Sequence, residues 1–355
     1  MNMKTSLKPE FSGASLVLTA CLLFSVPVAA DDTDTLFLSV EVLNLELRSN
    51  FTEIRADTAV DPKSHDGKLI YHSADGKTKK FSVKVRARGD FRRDPEMCSF
   101  PPLLLNFKKK EVKNTIFHNQ DKLKLVTPCQ REEDVVEEYV IYRMYNEVTD
   151  MSMKVRLVKI LYFDTHTGKE VFERHSFFIE DEDHVAKRNN AFKKNIFHTP
   201  FELDRENFMR MSVFEYLIGN KDWFITSRRN IVILQPQDTT KAPWVVPYDF
   251  DFAALIDASY TRPRIVSEEY LSTRRVYKGL CYTDEEFKRT FDFYRKLKPV
   301  FESIIDGQEL ISKATRRENI RFLESFYSII ENREQFEKEF LETCETRKMY
   351  NLPEL

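Results

Sequence analysis

The hydrophobic pattern of this chain changes character after Glu180, from mostly strand-like to mostly helical, and that change limits the folds open to it. Before it, apolar and polar residues alternate through Leu36–Leu47, Lys68–His72, Phe81–Arg88 and Leu103–Phe107, as strands with one buried face require. The turn-forming run Ser73-Ala74-Asp75-Gly76 separates two of them, which predicts antiparallel hairpins. One helix interrupts the strands: Val136, Val140, Met144 and Val148 recur at four-residue spacing, with Tyr139 and Tyr142 beside them. Val155–Phe163 and Phe172–Ile179 then return to strand across a turn at His166-Thr167-Gly168. After the acidic run Glu180–Asp183 the period becomes helical, first over Arg205–Ile218. A hairpin follows, and then long helices, one announced by Thr283 and Glu286 as a capping box ahead of Phe287, Phe291 and Tyr294. Ile320, Leu323, Tyr327 and Ile330 form a further apolar stripe. Strands first and helices later predict an α+β protein of two lobes, strand-rich with one helix over 31–180 and helical over 181–355.

The N-terminus carries an address. Lys4 and Lys8 precede an apolar run from Ala14 to Val28, and the small residues Val28-Ala29-Ala30 lead to acidic Asp31-Asp32. That order is a Sec-type signal peptide over 1–30, so the mature chain is expected in the periplasm or outside the cell. Leu18-Thr19-Ala20-Cys21 has the residue types of a lipoprotein signal, but the apolar run continues past Cys21, where a polar tether belongs. No later window is apolar enough to span a bilayer. Cleavage leaves Cys98, Cys129, Cys281 and Cys344, an even count that favours disulfides in an oxidising compartment. Of three connectivities, the expected one joins Cys98 to Cys129 across one strand-rich segment and Cys281 to Cys344 between helical segments. No Cys-x-x-Cys pair points to zinc. Lys plus Arg number 55 against 57 for Asp plus Glu, which argues against a general electrostatic grip on nucleic acid.

The chemistry-bearing stretch runs from Gly219-Asn220-Lys221-Asp222-Trp223 through Asn230 to Asp249-Phe250-Asp251. Two apolar runs, Ile231–Leu234 and Trp244–Val246, lie between Asn230 and Asp249, joined by a polar loop. If they pair as a hairpin, residue 230 enters at the end where residue 249 leaves, and paired strands lie ~4.8 Å apart. An amide oxygen and a carboxylate so placed suit a hard cation such as Mg²⁺, and Asp222 lies just ahead of the same point. A loop aspartate for the acceptor, then an asparagine and a second aspartate for metal, is the layout of kinase phosphoryl transfer. The plain alternative is that these residues shape turns, where Asp and Asn are favoured.

Several segments together resemble the CotH kinase family, the atypical spore-coat kinases and their secreted relatives. They are Val85-Arg86-Ala87-Arg88-Gly89-Asp90, Pro101-Pro102-Leu103-Leu104-Leu105-Asn106-Phe107, Lys122-Leu123-Lys124-Leu125-Val126, the helix over 135–148, the Gly-Asn-x-Asp loop and the Asp-Phe-Asp triplet. The resemblance covers most of the mature chain. It implies an atypical protein-kinase-like fold that binds ATP with Mg²⁺ or Mn²⁺ between two lobes. By the same matching Asp222 takes the catalytic position, Asn230 and Asp249 take metal positions, and Asp251 assists. The chain departs from ordinary kinases in having no G-x-G-x-x-G loop. Arg86 and Arg88, with Arg92 and Arg93 around Gly89, are the expected substitutes, because guanidinium forks match phosphate oxygens. Lys122 or Lys124 is the expected strand lysine for phosphate, with Glu137 or Glu138 behind it, and alternation does not choose between the lysines. Glu180 to Asp183, at the change from strand to helix, are expected by position to form the hinge against which adenine packs.

Other chemistries lack their residues: H-E-x-x-H and G-x-S-x-G are absent, and the histidines are scattered. The expected activity is ATP- and metal-dependent transfer of phosphate to a hydroxyl of an exported protein. The rival is an exported scaffold that keeps the fold without catalysis. A third reading is a metal-dependent hydrolase reusing the acidic cluster.

Overall fold

The computed structural model describes residues 35–72, 76–196, 198–261 and 275–353, so the expected signal peptide and the turn residues Ser73, Ala74 and Asp75 lie outside the described residues. Seven strands, β1 (Leu43–Ser49), β2 (His65–His72), β3 (Thr78–Ala87), β4 (Leu103–Phe107), β5 (Lys122–Val126), β6 (Val155–Asp164) and β7 (Lys169–Ile179), close into a barrel in the order β1-β2-β3-β4-β5-β7-β6. Neighbours run antiparallel except β1 and β6, which close the barrel in parallel with Leu43 opposite Val158. Alternation sorts the faces: Phe81, Val83, Val85 and Ala87 of β3 point inward, while Lys84 and Arg86 face out. Phe117 fills the interior, stacked on Phe107 at 5.3 Å and edge-on to Phe81 at 5.2 Å. The strand expected from Leu36 begins only at Leu43. Leu36 and Phe37 are both buried in a short 3₁₀ turn, and a strand would turn one of two adjacent residues outward.

A short helix, α1 (Phe51–Ala56), leaves β1, and another, α2 (Lys109–Val112), follows β4. The long α3 (Glu132–Val148) differs from its one-sided reading, because it is buried almost all round: Val135, Val136, Tyr139, Val140, Ile141 and Tyr142 are in the core, and so are Asp134, Glu137 and Glu138. It packs on β7, β6 and the C-terminal helices, and its apolar residues join their core rather than the barrel's. Two cores result, one inside the barrel and one gathering α3, the later helices and a second sheet.

Helix α4 (Glu182–Arg188) follows β7, capped by Asp181. Helix α5 (Arg205–Ile218) starts on the Asp204 cap and ends on Gly219 at φ +69°. There the amides of Gly219 and Asn220 bond to the carbonyls of Tyr216 and Glu215 at 3.1 and 2.9 Å, a termination that needs a residue in the left-handed region. The second sheet runs β10-β9-β8, with β8 (Ala191–Lys193), β9 (Ile231–Pro236) and β10 (Trp244–Pro247). Helices α6 (Asp284–Asp306), α7 (Lys313–Glu331) and α8 (Arg333–Phe336) follow, α6 on the predicted Thr283–Glu286 capping box, and short helical turns over Glu337–Leu341 and Arg347–Tyr350 come after them. The fold is α+β. Both expected disulfides form, Cys98–Cys129 and Cys281–Cys344. Among the described residues no helix is long and apolar enough to cross a membrane.

Candidate functional site

The two apolar runs pair as expected. Pro247 lies opposite Ile231, and the Tyr248 amide donates to the Asn230 carbonyl at 3.0 Å. Asn230 and Asp249 therefore flank one end of one hairpin. Both sit in the left-handed region, at φ 54° and 64°, which costs a non-glycine residue roughly 1 kcal/mol and is mildest for Asn and Asp. The Asn230 amide nitrogen donates to the Asp222 carbonyl at 2.7 Å and to its Oδ2 at 3.1 Å. That leaves the side-chain amide oxygen of Asn230 without a donor among the described residues. Asp222 is positioned from both sides: its amide donates to Asn220 Oδ1 at 3.0 Å, and its Oδ1 meets Arg229 Nε at 2.6 Å. The helix-ending Gly219 thus sets Asn220, and Asn220 sets Asp222.

Past Asp249 the chain turns inward. The Asp249 amide donates to Tyr142 Oη at 2.8 Å, and Phe250 packs on the Tyr142 ring at 4.7 Å, which pins the segment to α3. Asp251 is only 4% exposed. Its carboxyl is pushed up to about 7 by burial and by the charge of Asp249, with Asp222 adding to the effect and Arg92 and a Tyr260 hydroxyl contact at 3.4 Å opposing it. Glu138, 1% exposed on α3, is raised strongly by burial and then by Asp251 and Asp249, with Arg92 and Arg88 opposing. Arg92 is the buried counter-ion. One of its Nη atoms lies 3.9 Å from carboxylate oxygens of both Glu138 and Asp251, and the other donates to the Thr127 carbonyl. One buried guanidinium therefore faces two carboxyls, Glu138 and Asp251, that burial and neighbouring charge push toward their protonated forms.

The cationic residues separate clearly. Arg88 follows β3, its amide bonded to the Pro102 carbonyl at 2.8 Å. Its half-buried guanidinium has no hydrogen-bond or ion-pair partner among the described residues, yet its field reaches Glu138, Tyr142 and Tyr248. Arg86 lies instead on the outer barrel face, paired with Asp61 at 3.0 Å. Arg93 braces the Gly89 loop through the Gly89 and Ala59 carbonyls and Asp90. Lys124 stands 5.7 Å from the centroid of the Tyr248 ring and is paired with Glu182. Lys122 is exposed beside a polar cavity of about 310 Å³ shared with Asp121 and Asp183.

Three expectations are corrected. The carboxylate behind the lysine is Glu182 of α4, because Glu138 is turned to Arg92 and Glu137 to Asn319 at 2.7 Å. Glu180 does not offer its side chain to a ligand: buried, it accepts from the Lys154 amide at 2.9 Å and from Arg188 at 2.9 and 3.1 Å. Arg86 and Lys122 are not brought to the group. Sequence reasoning also missed Lys278, which donates to the carbonyls of Lys221 and Trp223 beside Asp222 and is pulled down to about 8 by burial. No pattern in its own segment marks it.

Among the described residues no three His, Cys, Asp or Glu side chains form a ready metal cage. The oxygen donors that are present, the Asn230 amide oxygen at the hairpin end shared with Asp249 and the nearby Asp251 carboxyl, are of the kind a hard cation such as Mg²⁺ takes. Such an ion takes only one or two protein carboxylates and completes its shell with water and phosphate oxygens. The chain matches no protein-family model and no curated protein.

Proposed function

We propose that this chain is an exported, CotH-kinase-like phosphotransferase, with the barrel as the strand-rich lobe and the later helices as the second. The observation that carries the reading is the hairpin that brings Asn230 into contact with Asp222 and beside the Asp249–Asp251 run. The two disulfides support a disulfide-permissive compartment.

In this reading Asn230, Asp249 and Asp251 would hold Mg²⁺ or Mn²⁺, which would supply positive charge against the nucleotide's phosphates. Arg88, whose guanidinium has no hydrogen-bond or ion-pair partner among the described residues, takes phosphate oxygens, and Lys124 adds a point charge from β5. Asp222 receives the proton of the acceptor hydroxyl, its carboxylate aimed by Arg229 and Asn230. The acceptor oxygen bonds to the γ-phosphorus as the bond to the β–γ bridging oxygen breaks, and ADP leaves with the electron pair. Arg92 keeps Asp251 and Glu138 in place without reaching substrate. The acceptor is an exported protein.

The test uses the purified mature chain with ATP and Mn²⁺, beside Asp222→Ala and Asp249→Ala. Nucleotide-dependent thermal stabilisation and phosphate transfer are measured on each. The reading expects Asp249→Ala to lose both and Asp222→Ala to lose transfer while keeping stabilisation. Equal transfer in all three refutes the mechanism. No stabilisation of the parent chain favours the non-catalytic scaffold.

A further inference from the structure

On the far side of α3 a cavity of about 360 Å³ opens between α3, the segment after Asp251 and α7. Its walls include Glu137 and Asn319, 1% and 3% exposed, and the apolar Leu255. The Asn319 amide donates to Glu137 Oε1 at 2.7 Å, but Oε2 is buried with no hydrogen-bond partner among the described residues. A buried carboxyl oxygen left unpaired is costly, and a native structure that keeps one calls for a water or a ligand to satisfy it.

The surrounding charge selects the kind of ligand. Glu133 and Asp134 press on Glu137 with negative field, while Arg131, on the wall and paired with Asp134, acts on it in the opposite sense. Glu318 and Arg321, one of each sign, also line the cavity. The lining thus carries three carboxyls, Glu137, Asp257 and Glu318, against two guanidinium groups, Arg131 and Arg321, with apolar Leu255 beside Glu137. The geometry points to a second binding site, separate from the Asp222–Asp249 group, for a small organic cation that seats an ammonium or guanidinium on Glu137 Oε2 and an alkyl stem on Leu255. Burial and those neighbouring carboxylates push Glu137 up to about 8, so a cation that settles there displaces a proton.

This inference is independent of phosphate transfer. Its test is thermal unfolding of the mature chain with n-butylammonium or n-butylguanidinium chloride, against n-butanol at equal concentration and NaCl at equal ionic strength. Tenfold above half-saturation, each cation is expected to raise Tm by about 2 °C, and butanol to raise it by much less. Glu137→Gln should abolish the rise. Thr315→Trp, which fills the cavity from the first turn of α7 and leaves Glu137 intact, should abolish it too and decides the matter if Glu137→Gln does not fold. A rise equal with butanol, a rise kept when the cavity is filled, or no rise with either cation overturns the site.

Discussion

Arg92→Met tests the electrostatic centre of the molecule directly. The substitution keeps an apolar stem of similar reach and removes the guanidinium that lies 3.9 Å from both Glu138 and Asp251 and bonds to the Thr127 carbonyl. Removing one partner of a buried ion pair costs about 3–5 kcal/mol, because the remaining charge is stranded. Here both pairs are long, and the carboxyls already lean toward the neutral form, so protonation absorbs part of the loss. The low end, about 3 kcal/mol, is therefore expected. A domain of this size gains about 0.7 kcal/mol of unfolding entropy per degree, so Tm should fall by roughly 4–5 °C. The sign with pH follows. Without the cation the carboxyls hold their protons to still higher pH, so the deficit should be larger at pH 8 than at pH 5. Urea unfolding of Arg92→Met, Glu138→Gln and the double variant closes the cycle. Glu138→Gln leaves a neutral amide where a charge would be stranded, and the double variant should recover about 1–2 kcal/mol relative to the sum of the singles. A cost under about 1 kcal/mol for Arg92→Met, or additivity within about 0.5 kcal/mol, would refute the shared-counter-ion argument.

Arg88→Ala should weaken ATP-dependent stabilisation at least about tenfold in apparent Kd, the loss of one charge-assisted contact, while the unliganded Tm moves by under about 1 °C; an unchanged titration removes Arg88 from the site. Lys124→Ala should likewise weaken nucleotide binding, and Lys122→Ala should not, a contrast read in the same titration. Glu215, fully buried in α5, faces Asn220 without reaching hydrogen-bond geometry and is pushed up to about 8 by burial. The folded state keeps its proton from about pH 4.5 to 8 while the unfolded chain releases it, so stability falls across that window, at most about 1.4 kcal/mol per pH unit. Calorimetry from pH 5 to 8 should show a shallower decline in Glu215→Gln than in the parent chain. Reducing Cys281–Cys344, which spans 63 residues, should cost about 4 kcal/mol by the chain-entropy estimate, read as the Tm difference between the parent and a Cys281→Ser/Cys344→Ser chain in oxidising buffer.

What the sequence made legible is what one strand or one turn decides alone. The hairpin was such a case: two short apolar runs across a polar loop have one economical pairing, and it carries residues 230 and 249 to a common end whatever the rest of the chain does. The two lysines were not. Alternation puts Lys122 and Lys124 on one face, but β7 pairs with β5 only over Lys124–Val126, so Lys124 meets α4 while Lys122 lies beyond the last rung. The arginines divide for a similar reason. The β3–β4 ladder ends at Ala87 opposite Leu103, so Arg86 stays on the outer face, where Asp61 from a distant loop takes it, and Arg88 is released past the edge. On α3 the spacing of Val136, Val140, Met144 and Val148 described one buried face and did not say that Asp134, Glu137 and Glu138 are all buried as well. The barrel and the C-terminal helices close on that helix from more than one side, and a periodicity can report only one. Carboxylates on a helix buried all round must find cations, protons or ligands. Glu138 finds Arg92 and Glu137 finds only an amide, and that inequality between adjacent residues is why one belongs to a charged site and the other lines a cavity with an oxygen to spare.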